Sequence, residues 1–392
     1  MAKSIEWRSV GLRLNPFPEL TPQTDPGQIV WAGMPKIKTQ FEDVFYEALN
    51  SRKKQVVLNY GPYGGGKTHA AMYFSDTARL QKLMSSDLRG VHSIYITTPK
   101  EGSTADTALY LDIIDSLGIS KIIEKTRAEV NAIGEKPASE ALRRITKSEE
   151  FSKAVVLLGT ETDADKLEVL KRYIQLDSTK TERRRIGINR EISTTQDKFK
   201  VLGAILSCFI GLKKEQRLRD HDRVILWIDE MEDLIYFTAK QYRPFTQGIR
   251  DLLDSVSSFI TIFMNVTLAS PEAVENIKVL FGTALWERIS QHIYFDELSA
   301  AEGIRYIKDL LKQYRRSSSN FADSYPFQEK GLELLVQSVE KRTPREINRR
   351  CNMVLERAAQ DGLFTHIDGE KPPIDSHYVK GMAKEIGESE SE

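Results

Sequence analysis

A glycine-rich segment between residues 61 and 68 has the residue types and spacing of a phosphate-binding loop. The segment reads Gly61-Pro62-Tyr63-Gly64-Gly65-Gly66-Lys67-Thr68. It fits the pattern GxxxxGK followed by Ser or Thr, and it lies between an apolar run at 56–58 and a helix-forming stretch that begins at His69. Glycines let successive backbone N–H groups turn toward phosphates, the lysine reaches the β and γ oxygens, and the threonine hydroxyl ligates Mg²⁺. A glycine cluster alone is typical of an ordinary loop, but Lys-Thr at this offset predicts a nucleoside triphosphate site at residues 61–69, with Thr68 as a metal ligand.

A second candidate lies where an apolar stretch meets two carboxylates. Residues 223–228 have the pattern of a strand buried on both faces, and Asp229 and Glu230 follow directly. In a chain with a phosphate loop, Asp229 would hold Mg²⁺ directly or through water, and Glu230 would orient and polarise the attacking water. The alternative is that both carboxylates only open a helix, where they suit the helix dipole. We favour the catalytic interpretation because of the apolar strand that precedes them.

The next predicted strand, residues 259–263, leads into Asn265 and Thr267. A neutral polar side chain at this point would hydrogen-bond the γ-phosphate or the attacking water. Polar residues also end many strands without a function, so the assignment depends on this strand lying beside the others. With Lys67 and Glu230, Asn265 is a candidate catalytic residue, and Thr267 is the weaker alternative.

Two arginines in the last third of the chain are candidates for phosphate contact. Arg288 would stabilise transition-state charge across a subunit boundary, or it would form a salt bridge to Glu287 or Asp296. Arg345 lies in the first turn of a helix whose start signal is Thr343-Pro344. A cation there opposes the helix dipole, which favours phosphate contact over a structural role.

Composition excludes several classes of protein. The 392 residues suffice for two or three domains, and 56 basic residues balance 56 acidic ones, so any nucleic-acid site must be a local patch. Cys208 and Cys351 are far apart and lack ligand spacing, which argues against a disulfide framework or structural zinc. No apolar run approaches the roughly 20 residues of a membrane span, and the N-terminus lacks a signal-peptide core. We expect a cytoplasmic protein with no membrane partner.

The elements that would position these residues follow a strand, loop, helix order. Residues 36–51 read as an amphipathic helix, followed by a strand at 55–59 and the phosphate loop. Residues 91–97 alternate as a second strand, and 105–117 follow as a helix. This series predicts an α/β fold with a parallel sheet flanked by helices. From Ser299, where a capping box starts, the pattern is helical only.

The same patterns predict the domain organisation. Residues 1–35 form an irregular proline-rich arm, and 36–298 form the α/β nucleotide-binding domain. Within it, 119–222 are too long for a simple connection and form a helical insert. Residues 299–367 form a helical lid domain, and 368–392 form a disordered acidic tail.

These features occur in an order that resembles the AAA+ ATPases over roughly residues 10–365: phosphate loop, Asp229-Glu230, Asn265, Arg288 and Thr343-Pro344-Arg345. The arm residues 11–17 and the lid pattern resemble the branch that holds origin-recognition-type initiators and transposon target-selection ATPases. Residues 173–192 and 223–234 are also similar to ATP-binding proteins of BREX-type phage-exclusion systems.

The resemblance implies a P-loop nucleotide domain with a helical lid, ATP and Mg²⁺ as cofactors, and a homo-oligomer whose neighbour supplies Arg288. It assigns Asn265 as sensor 1 and Arg345 as sensor 2. Archaeal initiators carry a winged-helix domain after the lid, whereas about 25 residues follow the predicted lid here. DNA contact is therefore expected from the insert or the core surface.

Three functions remain open from the sequence. The first is an ATP-hydrolysing oligomeric switch that acts on DNA or on a DNA-bound protein partner, in genome defence or mobile-element biology. Arg183, Arg184 and Arg185 of the insert would contact DNA phosphates, although such charge runs are often only a solvated face. The second is a signalling scaffold that uses ATP to lock an assembly with little turnover. The third is a small-molecule phosphotransferase, which the Asp229-Glu230 pair disfavours because it suits water as the acceptor.

Overall fold

The structure is a computed structural model that divides into two compact units. The first unit comprises residues 1–39, 61–73 and 294–392, and the second comprises 40–60 and 74–293. The residues it describes are 5, 7–8, 10–17, 27, 29–85, 90–100, 104–213, 217–236, 238–268, 270, 273–317, 321–364 and 372–389. Within these ranges, no helix combines the length and the apolar character needed to cross a bilayer.

The strands are β1 (Gln55–Gly61), β2 (Val91–Thr97), β3 (Arg223–Asp229), β4 (Ile260–Thr267) and β5 (Gln291–Tyr294). The helices up to β3 are α1 (Pro35–Asn50), α2 (Lys67–Ser75), α3 (Thr77–Leu83), α4 (Ala105–Leu117), α5 (Ile119–Ile133), α6 (Glu135–Thr146), α7 (Glu149–Thr160), α8 (Ala164–Ile174), α9 (Lys180–Arg185) and α10 (Thr195–Ile210). After β3 come α11 (Ala239–Ser255), α12 (Val274–Trp286), α13 (Ala300–Tyr314), α14 (Glu329–Gln337), α15 (Pro344–Gln360) and α16 (Ser376–Ser389). Short 3-10 helices span Leu218–Asp220 and Met231–Tyr236.

The sheet confirms the predicted α/β class. Its strand order is β2-β3-β4-β1-β5, with β2 parallel to β3 and β3 parallel to β4. All residues of β3 are buried, as expected for an apolar strand covered by helices on both faces. β4 lies between β1, which leads into the phosphate loop, and β3, which ends at Asp229. The strand that carries Asn265 therefore has the adjacency that its functional assignment required.

An aromatic cluster packs α1 and the end of α2 against the sheet. Trp227 of β3 and Phe263 of β4 stack at 4.1 Å between ring centroids. Phe45 of α1 stacks on Phe74 at 4.8 Å and lies 5.0 Å from Phe263. Aromatic pairs of this kind stabilise a fold beyond the area they bury, each by about 0.5–1.5 kcal/mol.

The insert is helical, and its helices share one buried core with the sheet. Nearly all of α10 is buried. It packs closely on α11, because a Cβ on Gly203 would lie 2.5 Å from Ser255 Cβ and one on Gly248 would lie 2.2 Å from Phe199. The six helices α5–α10 thus belong to the core of the second unit and do not form a separate subdomain.

In the first unit, residues 10–17 are anchored on the end of α13 and on α15. Leu12 and Arg315 form an antiparallel bridge, and the Asn352 side chain donates to the Phe17 carbonyl at 2.8 Å. Phe17 is fully buried, so its side chain is a core residue. Residues 18–26 of the predicted arm lie outside the described residues.

The predicted disordered tail is wrong for the residues of α16. Ile374 and Val379 are buried, and the Tyr378 hydroxyl donates to Asp361 at 2.7 Å. A few apolar anchors therefore outweigh the high charge of the segment and hold a helix there. Residues 368–371 and 390–392, which belong to the same prediction, lie outside the described residues.

Candidate nucleotide-binding site

The phosphate loop, residues 61–68, has backbone angles that its glycines allow. Gly61, Gly64 and Gly66 have φ values of 152°, 74° and 105°, and side chains there would be strained. A Cβ on Gly64 would lie 2.7 Å from Arg345 Cβ, and one on Gly61 would lie 2.2 Å from the Phe295 carbonyl oxygen. Glycine is therefore favoured at Gly61 and Gly64 for two reasons: the backbone angles strain any side chain, and neighbouring atoms leave no room for a Cβ.

Lys67 is turned back onto this loop. Its side chain is buried, and Nζ donates to the carbonyls of Gly61 and Pro62 at 2.9 Å each. Thr68 lies in the first turn of α2 and is half-buried. The ammonium group of Lys67 is thereby placed inside the curve of the loop, where an anion would meet it together with backbone N–H groups.

Arg345 of α15 lies against the loop, as its predicted phosphate role requires. Its backbone N–H donates to the Gly64 carbonyl at 3.3 Å, and its guanidinium lies 4.4 Å from the centre of the Tyr63 ring. Thr343 caps the helix by accepting from the Glu346 N–H. Tyr63 is 69% exposed and Gly65 donates to Pro62 at 3.1 Å, so the tip of the loop is an open turn beside a cation.

Two arm residues that the sequence patterns did not indicate also contact this region. The Trp31 ring lies edge-on to His69, with 5.9 Å between centroids, and its indole N–H donates to the Gly33 carbonyl. Met34 Cε would lie 3.1 Å from a Cβ on Gly66. His69, predicted as a nucleotide contact, thus packs on an aromatic side chain of the arm.

In the second unit, Asp229 and Glu230 occupy the end of β3 with a distinctive local geometry. Glu230 has φ 59°, a left-handed conformation that costs a residue with a side chain about 1–2 kcal/mol. Its N–H donates to Asp229 Oδ1 at 2.9 Å. Burial and the neighbouring Asp229 charge raise the pKa of Glu230 above its ordinary value, whereas Lys100 opposes the shift. A carboxylate with a raised pKa in a strained turn is typical of functional sites.

Two further residues hold Asp229, and neither was identified from the sequence. The Tyr95 hydroxyl on β2 donates to Asp229 Oδ2 at 2.8 Å. Burial and the Asp229 charge raise the pKa of Tyr95, so the phenol stays a hydrogen-bond donor. Thr98 donates through both its N–H and its hydroxyl to the Asp229 carbonyl, each at 2.8 Å. The carboxylate is thereby fixed on one side by a neutral donor.

Asn265 is fully buried within β4 and pairs with Asn59 of β1. Asn59 Nδ2 donates to Asn265 Oδ1 at 2.8 Å. Among the described residues, Asn265 Nδ2 and Asn59 Oδ1 find no hydrogen-bond partner. Such buried amide atoms are costly unless something satisfies them, which favours a ligand or water at this pair. The alternative residue, Thr267, donates its N–H to Glu232 at 2.9 Å.

Arg288 forms a salt bridge within its own chain. Its Nη2 lies 2.9 and 3.1 Å from the two oxygens of Asp254, and Nη1 donates to the Ala284 carbonyl. The sequence left open either a contact with phosphate or a salt bridge to Glu287 or Asp296. The structure shows a salt bridge, but its partner is Asp254 of α11. Both side chains are well exposed, and such surface pairs contribute about 0.2–1 kcal/mol. The pair is weak enough for another anion to compete.

The triple arginine of α9 is only partly available to a partner. Arg183 is buried and donates to the Ser178 carbonyl at 2.7 Å and to Glu191 at 2.9 Å. Its predicted contact with DNA is therefore wrong, because its charge is committed inside the chain. Arg184 and Arg185 are exposed.

The oxygen donors near Asp229 suit a hard cation. Mg²⁺ in nucleotide sites uses one or two carboxylates, waters and the substrate phosphates, and does not need a cage of protein ligands. The described residues hold no cluster of three or more potential metal ligands. In the second unit, Asp229, held by the Tyr95 hydroxyl and the Glu230 N–H, is the carboxylate that would ligate such an ion. In the first unit, Thr68 lies in the first turn of α2, and its role as a metal ligand stays a prediction.

Comparison with known proteins gives similarity in fold only. No protein-family model and no curated protein sequence matches the chain. The ORC1 protein of Aeropyrum pernix in complex with DNA is 14% identical, over 93% of this chain and 68% of that one, with a TM-score of 0.49. The ADP form of ORC2 from the same organism is 10% identical over 94% and 72%, with a TM-score of 0.48. A Walker-type ATPase of Pyrococcus abyssi is 10% identical over 95% and 76%, with a TM-score of 0.45.

Proposed function

We propose that this protein is an ATPase of the AAA+ type that works as an oligomeric switch on DNA or on a DNA-bound partner. The observation that carries the proposal is the phosphate loop, where Lys67 points into a curve of glycines and Arg345 packs on Gly64 and Tyr63. A loop that serves only as a connection has no need of a buried ammonium group.

The nucleotide role follows from charge and geometry in the first unit. Lys67 and the loop N–H groups would bind the phosphates, and the start of α2 would add its dipole. Arg345 would add a second positive charge at the loop tip. Mg²⁺ bound with the triphosphate would neutralise part of its charge, and the predicted protein ligands are Thr68 in the first unit and Asp229 in the second.

Hydrolysis is proposed from the residues of the second unit. Glu230 would accept a hydrogen bond from the attacking water, which its raised pKa makes easier than for an ordinary glutamate. Asn265 would offer its buried amide to the same water or to the γ-phosphate. Tyr95 would keep Asp229 oriented and leave its charge intact.

Assembly is proposed to complete the site through Arg288. Its pair with Asp254 is exposed, so a neighbouring triphosphate would compete for the guanidinium. The finer setting in genome defence or mobile-element biology rests on the resemblance of the sequence, and the cytoplasmic location rests on its composition. The buried free thiols of Cys208 and Cys351 fit a reducing compartment.

The test is ATP turnover by the purified protein with and without double-stranded DNA, with mass in solution measured alongside. We expect turnover that DNA stimulates, a higher-order assembly in ATP, and loss of turnover in Lys67→Ala. Equal turnover with and without DNA and partner would contradict the switch. Assembly in ATP without turnover would replace the switch with the signalling scaffold.

A further inference from the structure

A groove between α11 and α12 carries positive charge that none of the roles above uses. It has a volume of about 740 Å³ and is lined by Lys240, Arg243 and Arg250 of α11, with Gln247 and Thr246 beside them. No described residue that lines it is acidic. Cavities of this size accommodate organic ligands or segments of polymer.

The cations form one stripe along a helix. Lys240, Arg243, Gln247 and Arg250 have spacings of three, four and three residues, which places them on the same face of α11. At 1.5 Å per residue the stripe is ~15 Å long. Lys240 and Arg243 are exposed, and Arg250 donates to Gln247, which holds it over the groove. The spread of charge suits several phosphates in a row better than one anion.

Most carboxylates on the helices around the groove pair away from this stripe. The exception is Asp251, which accepts from Gln247 and interacts electrostatically with Arg250. The exposed Lys240 and Arg243 therefore carry most of the unbalanced charge. Each carboxylate of α10, α11 and α12 has a partner: Asp197 with Arg190, Asp251 with Gln247, Asp254 with Arg288, and Glu275 with Lys278. The positive charge of the groove is therefore local, as a chain with no net charge requires of any nucleic-acid site.

The opposite wall is open and uncharged. α12 is kinked at Gly282, which has φ 70°, and a Cβ built there would meet nothing within 4 Å. Thr283 is exposed at the kink, whereas Phe281 and Leu285 are buried beneath it. A strand of nucleic acid could thus lie along α11 with no carboxylate among the described residues of this wall facing its phosphates.

We infer that the α11–α12 groove binds the phosphodiester backbone of nucleic acid. The inference rests on the proposed DNA-directed function, but it uses none of the hydrolysis chemistry. It assigns DNA contact to Lys240, Arg243 and Arg250, in place of the insert arginines. Backbone contacts of this kind carry no sequence information, so the groove contributes affinity and register.

The test is the affinity of the full chain for a labelled DNA duplex, measured by fluorescence anisotropy without ATP over a range of salt concentrations. The variant Lys240→Gln/Arg243→Gln/Arg250→Gln should bind about 100-fold more weakly near 150 mM salt. The slope of log affinity against log salt should become shallower by about 2.7, since three phosphate contacts are lost. Arg243→Gln alone should change the slope by about 0.9, which keeps the test valid if the triple variant unfolds.

The matched control is Lys180→Gln/Arg184→Gln/Arg185→Gln, which removes the same charge from exposed positions of α9. This control and Lys67→Ala should bind DNA like the wild type. A groove variant that binds like the wild type would overturn the inference while leaving the proposed function intact. A wild type that binds no DNA would overturn the inference and would leave only the DNA-bound partner in the proposed function. If Lys67→Ala binds a labelled free nucleotide through the groove but binds no DNA, the groove is a nucleotide site and the nucleic-acid assignment is wrong.

Discussion

The phosphate loop and the carboxylate end of β3 achieve their geometry by different means. The loop geometry comes from the backbone: Gly61, Gly64 and Gly66 adopt φ values that favour glycine. Lys67 donates hydrogen bonds to carbonyls only five and six residues away. At the end of β3, Asp229 depends on Tyr95, which is 134 residues away in the chain. One region is local in sequence, and the other exists only once the sheet has formed. Substitutions should separate the two.

The largest effect on ATP affinity is expected at Gly64. Gly64→Ala would place a Cβ 2.7 Å from Arg345 Cβ in a left-handed conformation, so the loop or α15 must shift. Strain of about 1–3 kcal/mol corresponds to a loss of ATP affinity on the order of 10- to 100-fold. Calorimetric titration of ATP would measure it. Gly381→Ala, where a Cβ would meet nothing within 4 Å, is the control and should bind normally; unchanged affinity in Gly64→Ala would show that the loop tolerates a side chain.

The next effect is expected at the buried amide pair. Asn265→Ala removes the acceptor of Asn59 Nδ2 and should lower the free energy of unfolding by about 1–3 kcal/mol. ATP hydrolysis should also fall, while ATP affinity changes little. Urea unfolding of Asn265→Ala, Asn59→Ala and the double variant completes a double-mutant cycle. Strictly additive losses would mean that the two amides do not interact.

A smaller effect is expected at Tyr95. Tyr95→Phe keeps the ring but removes the donor to Asp229 Oδ2, so kcat should fall about tenfold through a less well-oriented carboxylate. ATP affinity should stay the same, because the phosphate loop is untouched. Steady-state kinetics over a range of Mg²⁺ concentrations would detect a higher metal requirement. An unchanged kcat together with an unchanged Mg²⁺ requirement would show that the Tyr95 hydroxyl does not support Asp229 in hydrolysis.

The smallest effect is a change in pH dependence. Glu230 must be ionised to accept from water, so hydrolysis should fall as the pH drops through its raised pKa. Lys100 lowers that pKa, and Lys100→Gln should therefore move the acid limb of kcat to higher pH. Lys100→Arg keeps the charge and should leave the limb in place. If Lys100→Gln and Lys100→Arg move the acid limb of kcat by the same amount, the charge of residue 100 is not the cause of the shift.

The same contrast explains what the sequence could predict. The phosphate loop, the Asp229-Glu230 junction and the bounds of β2 depend on residues close together in the chain, and they are where the patterns placed them. Tyr95, Asn59 and the Asp254 partner of Arg288 depend on the packing of distant elements, which no local pattern encodes.

The predicted bounds of some elements were wrong where a local sequence signal was misjudged. The sequence pattern predicts a helix from Phe245 to Val256, but α11 begins at Ala239, because Thr238 and Gln241 form a capping box and the helix accommodates Pro244. The helix predicted after the loop is broken in two, because Asp76 caps α3. β4 extends to Thr267, so Asn265 lies within the strand.

The proposed ATPase activity needs the phosphate loop to bind ATP and Glu230 to hydrolyse it. The most direct test is Glu230→Gln, studied by ATP binding at equilibrium and by single-turnover hydrolysis beside the wild type. We predict wild-type ATP affinity and hydrolysis that is about 10²- to 10⁴-fold slower. Hydrolysis at the wild-type rate, or loss of ATP binding in a folded Glu230→Gln protein, would contradict the account.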